Sequence, residues 1–179
     1  MVTYVREIGK GHTALDKFSM IVNSHSIDIT SYNVLFDKLH KASGKQANSN
    51  MSSAASEIKN DTGEDTIVSV DGSWQRRGHS SRNGVVTAIS VVTGKVLDTE
   101  VLSSYCRVCD SNTNTNPEHD CQLNQERCSG AMEPAGAVAI FGRSIETRGL
   151  RYTDYLGDGD TSAYNKVRDS KPYGEETIL

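Results

Sequence analysis

Thr66-Ile67-Val68-Ser69-Val70-Asp71-Gly72 is the stretch on which the reading of this chain turns. It is rich in β-branched residues and closes on an Asp-Gly pair, so it reads as a strand that ends in a turn. Downstream, Gly84 to Val92 reads as a second strand. Thr93-Gly94 marks a turn, and Lys95 to Leu102 a third strand. The short connections predict an antiparallel meander. A polar, cysteine-bearing insertion over residues 105–130 follows. Pro134 is expected at the first position of a helix that runs to Arg148 and stops at Gly149. Leu150 to Leu156 reads as a fourth strand. Gly157-Asp158-Gly159-Asp160 reads as a sharp turn, and Thr161 to Arg168 as a further helix. Upstream, Leu15, Phe18, Ile21 and Val22 recur at helical spacing behind Thr13, a candidate cap. Tyr32, Leu35, Phe36 and Leu39 form a second stripe behind Thr30, with Gly44 as its expected stop. Ala47, Met51, Ala54, Ala55 and Ile58 form a third.

This divides the chain into a helical segment, 1–62, and an α/β segment, 63–179. The α/β order is three antiparallel strands, then helix, strand, helix. A helix between strands three and four lets strand four return parallel to strand one. That is the element order of a ribonuclease-H-like mixed sheet.

Composition narrows the function classes. With 179 residues the chain has about one domain's length. It is 36% hydrophobic and 23% charged, enough for a core and ordinary for a soluble globular chain. No apolar run is long enough to cross a membrane. The first ten residues lack the apolar stretch of a secretory signal. The net charge of −4 excludes a uniformly basic nucleic-acid binder. A local basic patch, or an acidic site that acts on DNA through metal ions, remains compatible with it.

Acidic residues sit where strands are expected to end. Asp71 closes the first strand, and Asp158 and Asp160 follow the fourth. If those strands are neighbours, the carboxylates meet at one edge of the sheet. Such carboxylates hold paired divalent ions about 4 Å apart for attack on phosphodiesters. Oxygen ligands select Mg²⁺ or Mn²⁺. The flanking glycines leave room for a phosphate. Asp-Gly is also a common turn dipeptide, and Asp160 could simply cap the helix after it.

All four cysteines fall between Cys106 and Cys128. Such clustering fits a metal site better than a disulfide framework. Cys106-x2-Cys109 followed by His119-x-Cys121 supplies three thiolates and an imidazole, a set suited to tetrahedral Zn²⁺. Cys128 could replace Cys121 or His119, or be spare. The stretch between the two halves carries no core of its own, so the metal would order it. Gln75-Arg76-Arg77-Gly78-His79 is expected in an exposed loop after Asp71, where Arg76, Arg77 and His79 could touch DNA phosphates. Trp74 could stack on a base or pack on the sheet. Arg143, Arg148 and Arg151 could form a second basic patch or a solvated helix end.

Several long blocks resemble the Mutator-like transposase domain. They are Val68 to Ser81 (VSVDGSWQRRGHSS), Asn83-Gly84-Val85-Val86 with Thr93-Gly94-Lys95-Val96-Leu97, and Gly130-Ala131-Met132-Glu133 with Arg143-Ser144. Leu150-Arg151-Tyr152, Tyr155 to Asp160 and Pro172-Tyr173-Gly174 complete the set. The resemblance runs in order from about residue 10 to the C-terminus. It implies a ribonuclease-H-like core, a DDE-type acidic site with Mg²⁺ or Mn²⁺, and cut-and-paste transposition by DNA strand cleavage and strand transfer. Asp71 then matches the first acid. The second lies in the Gly157–Asp160 turn, where Asp160, next to the helix, is favoured and Asp158 stays open. The third acid of such proteins lies on a later helix, beyond Leu179, so the chain reads as an inactive or incomplete fragment of the domain, truncated at its C-terminus, and its own catalytic activity is left open. A zinc knuckle also occurs between the first two acids in that family, and Cys128 matches a non-ligand position there. Transposon ends and target DNA are the implied partners, with self-association across paired ends and the nucleus as the location. No membrane or small-molecule substrate is implied. Two other readings stay open: a domesticated, non-catalytic remnant that binds DNA or protein around a structural zinc, and a ribonuclease-H-like nuclease.

Overall fold

The computed structural model describes residues 2–3, 9–76, 81–111, 118–125, 129–157, 159 and 161–174. The chain forms two compact units, residues 1–50 and 51–179. In the first, helix α1 (His12–Ile21) follows Gly11, and Leu15 and Tyr32 make a small core with Val2, Ala14, Ile27 and Phe36. Helix α2 (Ile29–Thr62) begins behind Asp28, whose carboxylate accepts the backbone N–H of Ser31 at 2.9 Å. The Ser31 hydroxyl and then its backbone N–H hold the Asp28 carboxyl below its ordinary range. Neither Thr13 nor Thr30 is the cap. Gly44 does not stop the second helix either: the expected second and third helices are one. A glycine inside a helix costs only about 1 kcal/mol relative to alanine, and Lys45 to Asn50 offer no competing stop.

The second unit is built on a four-stranded sheet. Its strands are β1 (Asp65–Trp74), β2 (Asn83–Ser90), β3 (Val96–Ser103) and β4 (Arg151–Leu156), in the spatial order β3-β2-β1-β4. β1 pairs antiparallel with β2 and parallel with β4. Between β3 and β4 come a short helix, α3 (Arg107–Asp110), and the long α4 (Met132–Arg148). Helix α5 (Thr161–Ser170) follows β4. The expected mixed α/β architecture and strand order along the chain are therefore observed. α4 starts two residues earlier than Pro134 suggests, which puts the proline in the first turn, where its missing N–H costs no hydrogen bond. Gly149 ends the helix as expected, with φ 66° and its N–H on the Ile145 carbonyl at 2.9 Å.

Alternation divides the sheet into two faces. Val68, Val70, Val86, Ala88 and Tyr152 are buried and form one core with Ile140 and Phe141 of α4 and Ala163 and Val167 of α5. Ala54, Ala55 and Ile58, from the last turns of α2, belong to the same core. The contact with α4 is close at Gly136, where a Cβ would stand 2.6 Å from Val86 Cγ2. Phe141 meets Tyr152 edge-on at 5.3 Å between ring centres. The residues that alternate to the other face include Ile67, Asp71 and Ser73, and these are exposed.

A buried charge cluster ties α4 to β3. Asp98 is 3% exposed. Arg143 reaches it from Nε at 2.8 Å, Arg148 approaches at 3.4 Å, and Arg143 also pairs with Glu100. Arg151 pairs with Asp65 at 2.8 Å. The three arginines that could have formed a basic patch instead neutralise carboxylates within the fold. At the chain's far end Tyr173 shares a hydrogen bond with Ser144 (2.7 Å) and accepts the Tyr152 backbone N–H (3.0 Å).

Candidate functional site

Asp71 lies in β1, opposite Thr87 of β2, with its side chain exposed to solvent. The parallel pairing of β1 with β4 runs from Asp65 and Arg151 to Ser69 and Leu156. The C-terminal end of β4 thus comes to rest two residues short of Asp71, on the neighbouring strand. Asp158 and Asp160 lie outside the described residues, as do Arg77, His79 and Cys128. Arg76 is described and exposed. Gly72 is needed for space. A Cβ there would stand 3.1 Å from a Glu133 carboxylate oxygen and 3.1 Å from the Trp74 ring. Glu133, in the first turn of α4, therefore brings a carboxylate beside Gly72, on the side of the sheet that packs against α4 and away from the face to which Asp71 alternates. The sequence shows it only as one member of the Gly130–Glu133 block, with no role attached.

Trp74 is placed by Gly84. A Cβ on Gly84 would fall 2.2 Å from the indole, so the ring occupies the space that a side chain at Gly84 would need. Of the two readings of Trp74, packing on the sheet is the one observed.

The second grouping is the Cys/His cluster. Cys106 follows the end of β3 and is 4% exposed, whereas Cys109 sits in α3. His119 and Cys121 return from the other side of the insertion. His119 Nε2 lies 3.2 Å from Cys106 Sγ and 3.5 Å from Cys109 Sγ, and Cys109 Sγ lies 3.6 Å from Cys121 Sγ. One ligand atom from each of the four falls within 4.8 Å of the others. Zinc–sulfur bonds of about 2.3 Å in a tetrahedron put ligands roughly 3.7 Å apart, close to these separations. The group can hold a metal ion such as zinc.

The electrostatics point the same way. Backbone N–H groups of Cys109 and Gln122 aimed at Cys106 pull its thiol down to about 6. Cys109 is pushed up to about 11, chiefly by the Cys121 thiol beside it. One sulfur is prepared as a thiolate, and crowding resists ionisation of a second. A cation among them removes that conflict.

A family model for the Mutator-like transposase matches residues 1–178. This chain belongs to the Mutator-like transposase family. Searches of the curated proteins and of the solved structures returned no match. In this Mutator-like transposase chain, none of the described helices is long and apolar enough to cross a membrane. The Cys3His group lies between Asp71 and the Gly157-Asp158-Gly159-Asp160 stretch in the sequence.

One pair was missed by sequence reading. Arg82, just before β2, holds its guanidinium 4.8 Å from the centre of the Tyr105 ring, next to Cys106. The two residues are far apart in sequence, and no spacing rule connects them.

Proposed function

We propose that residues 63–179 belong to a ribonuclease-H-like transposase core whose DDE-type acidic site serves DNA strand cleavage and strand transfer. The observation that carries this reading is the parallel β1–β4 seam, which brings the end of β4 beside the strand that holds Asp71. The helix crossing from β3 to β4 and the order β3-β2-β1-β4 support the same fold assignment.

In this reading Asp71 is the first acid, and Asp160, or alternatively Asp158, is the second. Their carboxylates would hold Mg²⁺ or Mn²⁺. When bound, the metal supplies an activated water or 3′-hydroxyl and a counter-charge for the leaving oxygen. Asp71 offers its carboxylate on the open face of the sheet, where a DNA strand has access. Gly72 keeps the strand free of a side chain at the next position. Arg76, Arg77 and His79 would neutralise phosphates of the incoming DNA. Cys106, Cys109, His119 and Cys121 would bind one structural Zn²⁺ and fix the insertion. The substrate implies the nucleus as the working compartment.

Product analysis tests the reading. The protein is incubated with DNA carrying the element's ends, a plasmid target and Mn²⁺. Joining of the ends to the plasmid supports transposition. Hydrolysis alone marks a nuclease, and DNA binding with neither product marks a non-catalytic binder.

A further inference from the structure

The end of β1, the start of β2 and Tyr105 border a polar hollow of about 430 Å³ lined by Gln75, Arg76, Arg82, Asn83 and Tyr105. A second depression continues from Arg82 and Tyr105 to Cys106, Cys109 and Asp110. The two share the Arg82–Tyr105 pair, so they form one groove running from the β1 end to the metal centre. We propose that this groove grips the phosphodiester backbone of a DNA strand, with Arg76 and Arg82 as its phosphate ligands and Tyr105 as the support for Arg82. The proposal rests on the transposase reading above and extends it to residues that the acidic site does not use.

The chemistry of the lining selects the ligand. Asn83 Nδ2 donates to Gln75 Oε1 at 2.8 Å, and Ser103 Oγ donates to Asn83 Oδ1 at 2.6 Å. Both amide oxygens are thus engaged, and Gln75 keeps its NH₂ group for a ligand. Arg76 and Arg82 form no ion pair with a carboxylate among the described residues, unlike Arg143, Arg148 and Arg151. The hollow therefore offers donors and positive charge. A ligand rich in acceptor oxygens and negatively charged fits, and a phosphodiester is such a ligand.

The groove is also held in place. Ser104 donates its backbone N–H to the Arg82 carbonyl at 2.8 Å. Ser103 Oγ also contacts the Tyr105 backbone, with Oγ to carbonyl oxygen at 2.9 Å. The buried Cys106 follows Tyr105 directly. The Tyr105 ring lies against Arg82, which fixes the guanidinium at no cost in charge. Gln75 lies four residues beyond Asp71 along an extended chain, about 13 Å at 3.3 Å per residue. A strand gripped here runs on toward the Asp71 end of β1.

The test is DNA binding by fluorescence anisotropy across a salt series, using a labelled oligonucleotide. It compares the wild type with Arg76→Ala/Arg82→Ala and with Tyr105→Leu. The double variant should bind at least about tenfold more weakly, and its salt slope should fall by about 2, at roughly 0.9 per lost phosphate contact. Tyr105→Leu should weaken binding less and leave the slope nearly unchanged, because both charges remain. Circular dichroism and zinc content matching the wild type would show that the variants are folded. Equal affinity and slope for wild type and double variant would overturn the proposal. Loss of affinity with an unchanged slope would also overturn it, since no phosphate contact would then have been removed. Strand-transfer products from the double variant at wild-type affinity would sink the groove and spare the transposase reading. Groove-dependent binding without any cleavage product would do the reverse.

Discussion

Cys106 Sγ and His119 Nε2 stand 3.2 Å apart, brought together from opposite ends of the insertion. Little apolar packing joins those ends, because Cys109, Cys121 and Leu123 are all exposed. A metal ion held by the four side chains would then be the main source of order there. Purified protein should carry about one Zn²⁺ per chain. Cys106→Ser/Cys109→Ser should lose it, by plasma emission spectrometry, and become sensitive to proteolysis between β3 and α4. Metal-free wild-type protein with the same proteolysis pattern as the variant would show that zinc has no such role.

Asp98 is the pivot of the charge cluster under α4. Arg148 beside it has a side chain only 5% exposed. Asp98→Ala would leave that charge buried with its nearest carboxylate gone, a loss of about 3–5 kcal/mol. Urea unfolding should show the drop in midpoint.

The single tryptophan reports on Gly84. Gly84→Ala puts a methyl group where the Trp74 ring lies. The ring must move toward solvent. Emission should shift to the red, with a stability loss of about 1–3 kcal/mol from overpacking. An unshifted spectrum would mean that Trp74 does not depend on this contact.

Tyr152 and Tyr173 are both held above the ordinary phenol range. Burial is the main cause for each, with the negative charge of Asp98 adding to it at Tyr152. The folded state therefore keeps protons that the unfolded chain releases near pH 10. The stability this contributes is complete below pH 10 and is lost as pH rises above it. Absorbance at the phenolate band should rise in two stages, the second together with unfolding. Tyr173→Phe should weaken the α4–β4 contact by removing the hydroxyl that bonds Ser144 and the Tyr152 N–H.

Much of the α/β unit was legible because its signals are local. Alternation in Thr66–Asp71, the Thr93-Gly94 turn and Gly149 each state their structure within a few residues. The metal cluster was legible for the same reason: Cys106-x2-Cys109 and His119-x-Cys121 are short motifs. The fusion of two expected helices into α2 was not legible, because Gly44 is a stop only when the residues after it offer an alternative. The fate of Arg143 and Arg148 was hidden as well. Their partner Asp98 lies on another element, and only the packing of α4 on β3 brings them together. Glu133 beside Gly72 and Arg82 over Tyr105 are tertiary neighbours of the same kind.

The central claim is that Asp71 serves DNA chemistry. The most direct measurement compares the Asp71 and Asp71→Asn forms of a protein that also carries the third acid, on labelled element-end DNA with Mn²⁺, after matching their folds and DNA affinities. Nicked and joined products are expected from the Asp71 form and none from Asp71→Asn, with binding unchanged. Cleavage that survives in Asp71→Asn, or an Asp71 form that binds DNA and yields no product, would contradict the claim.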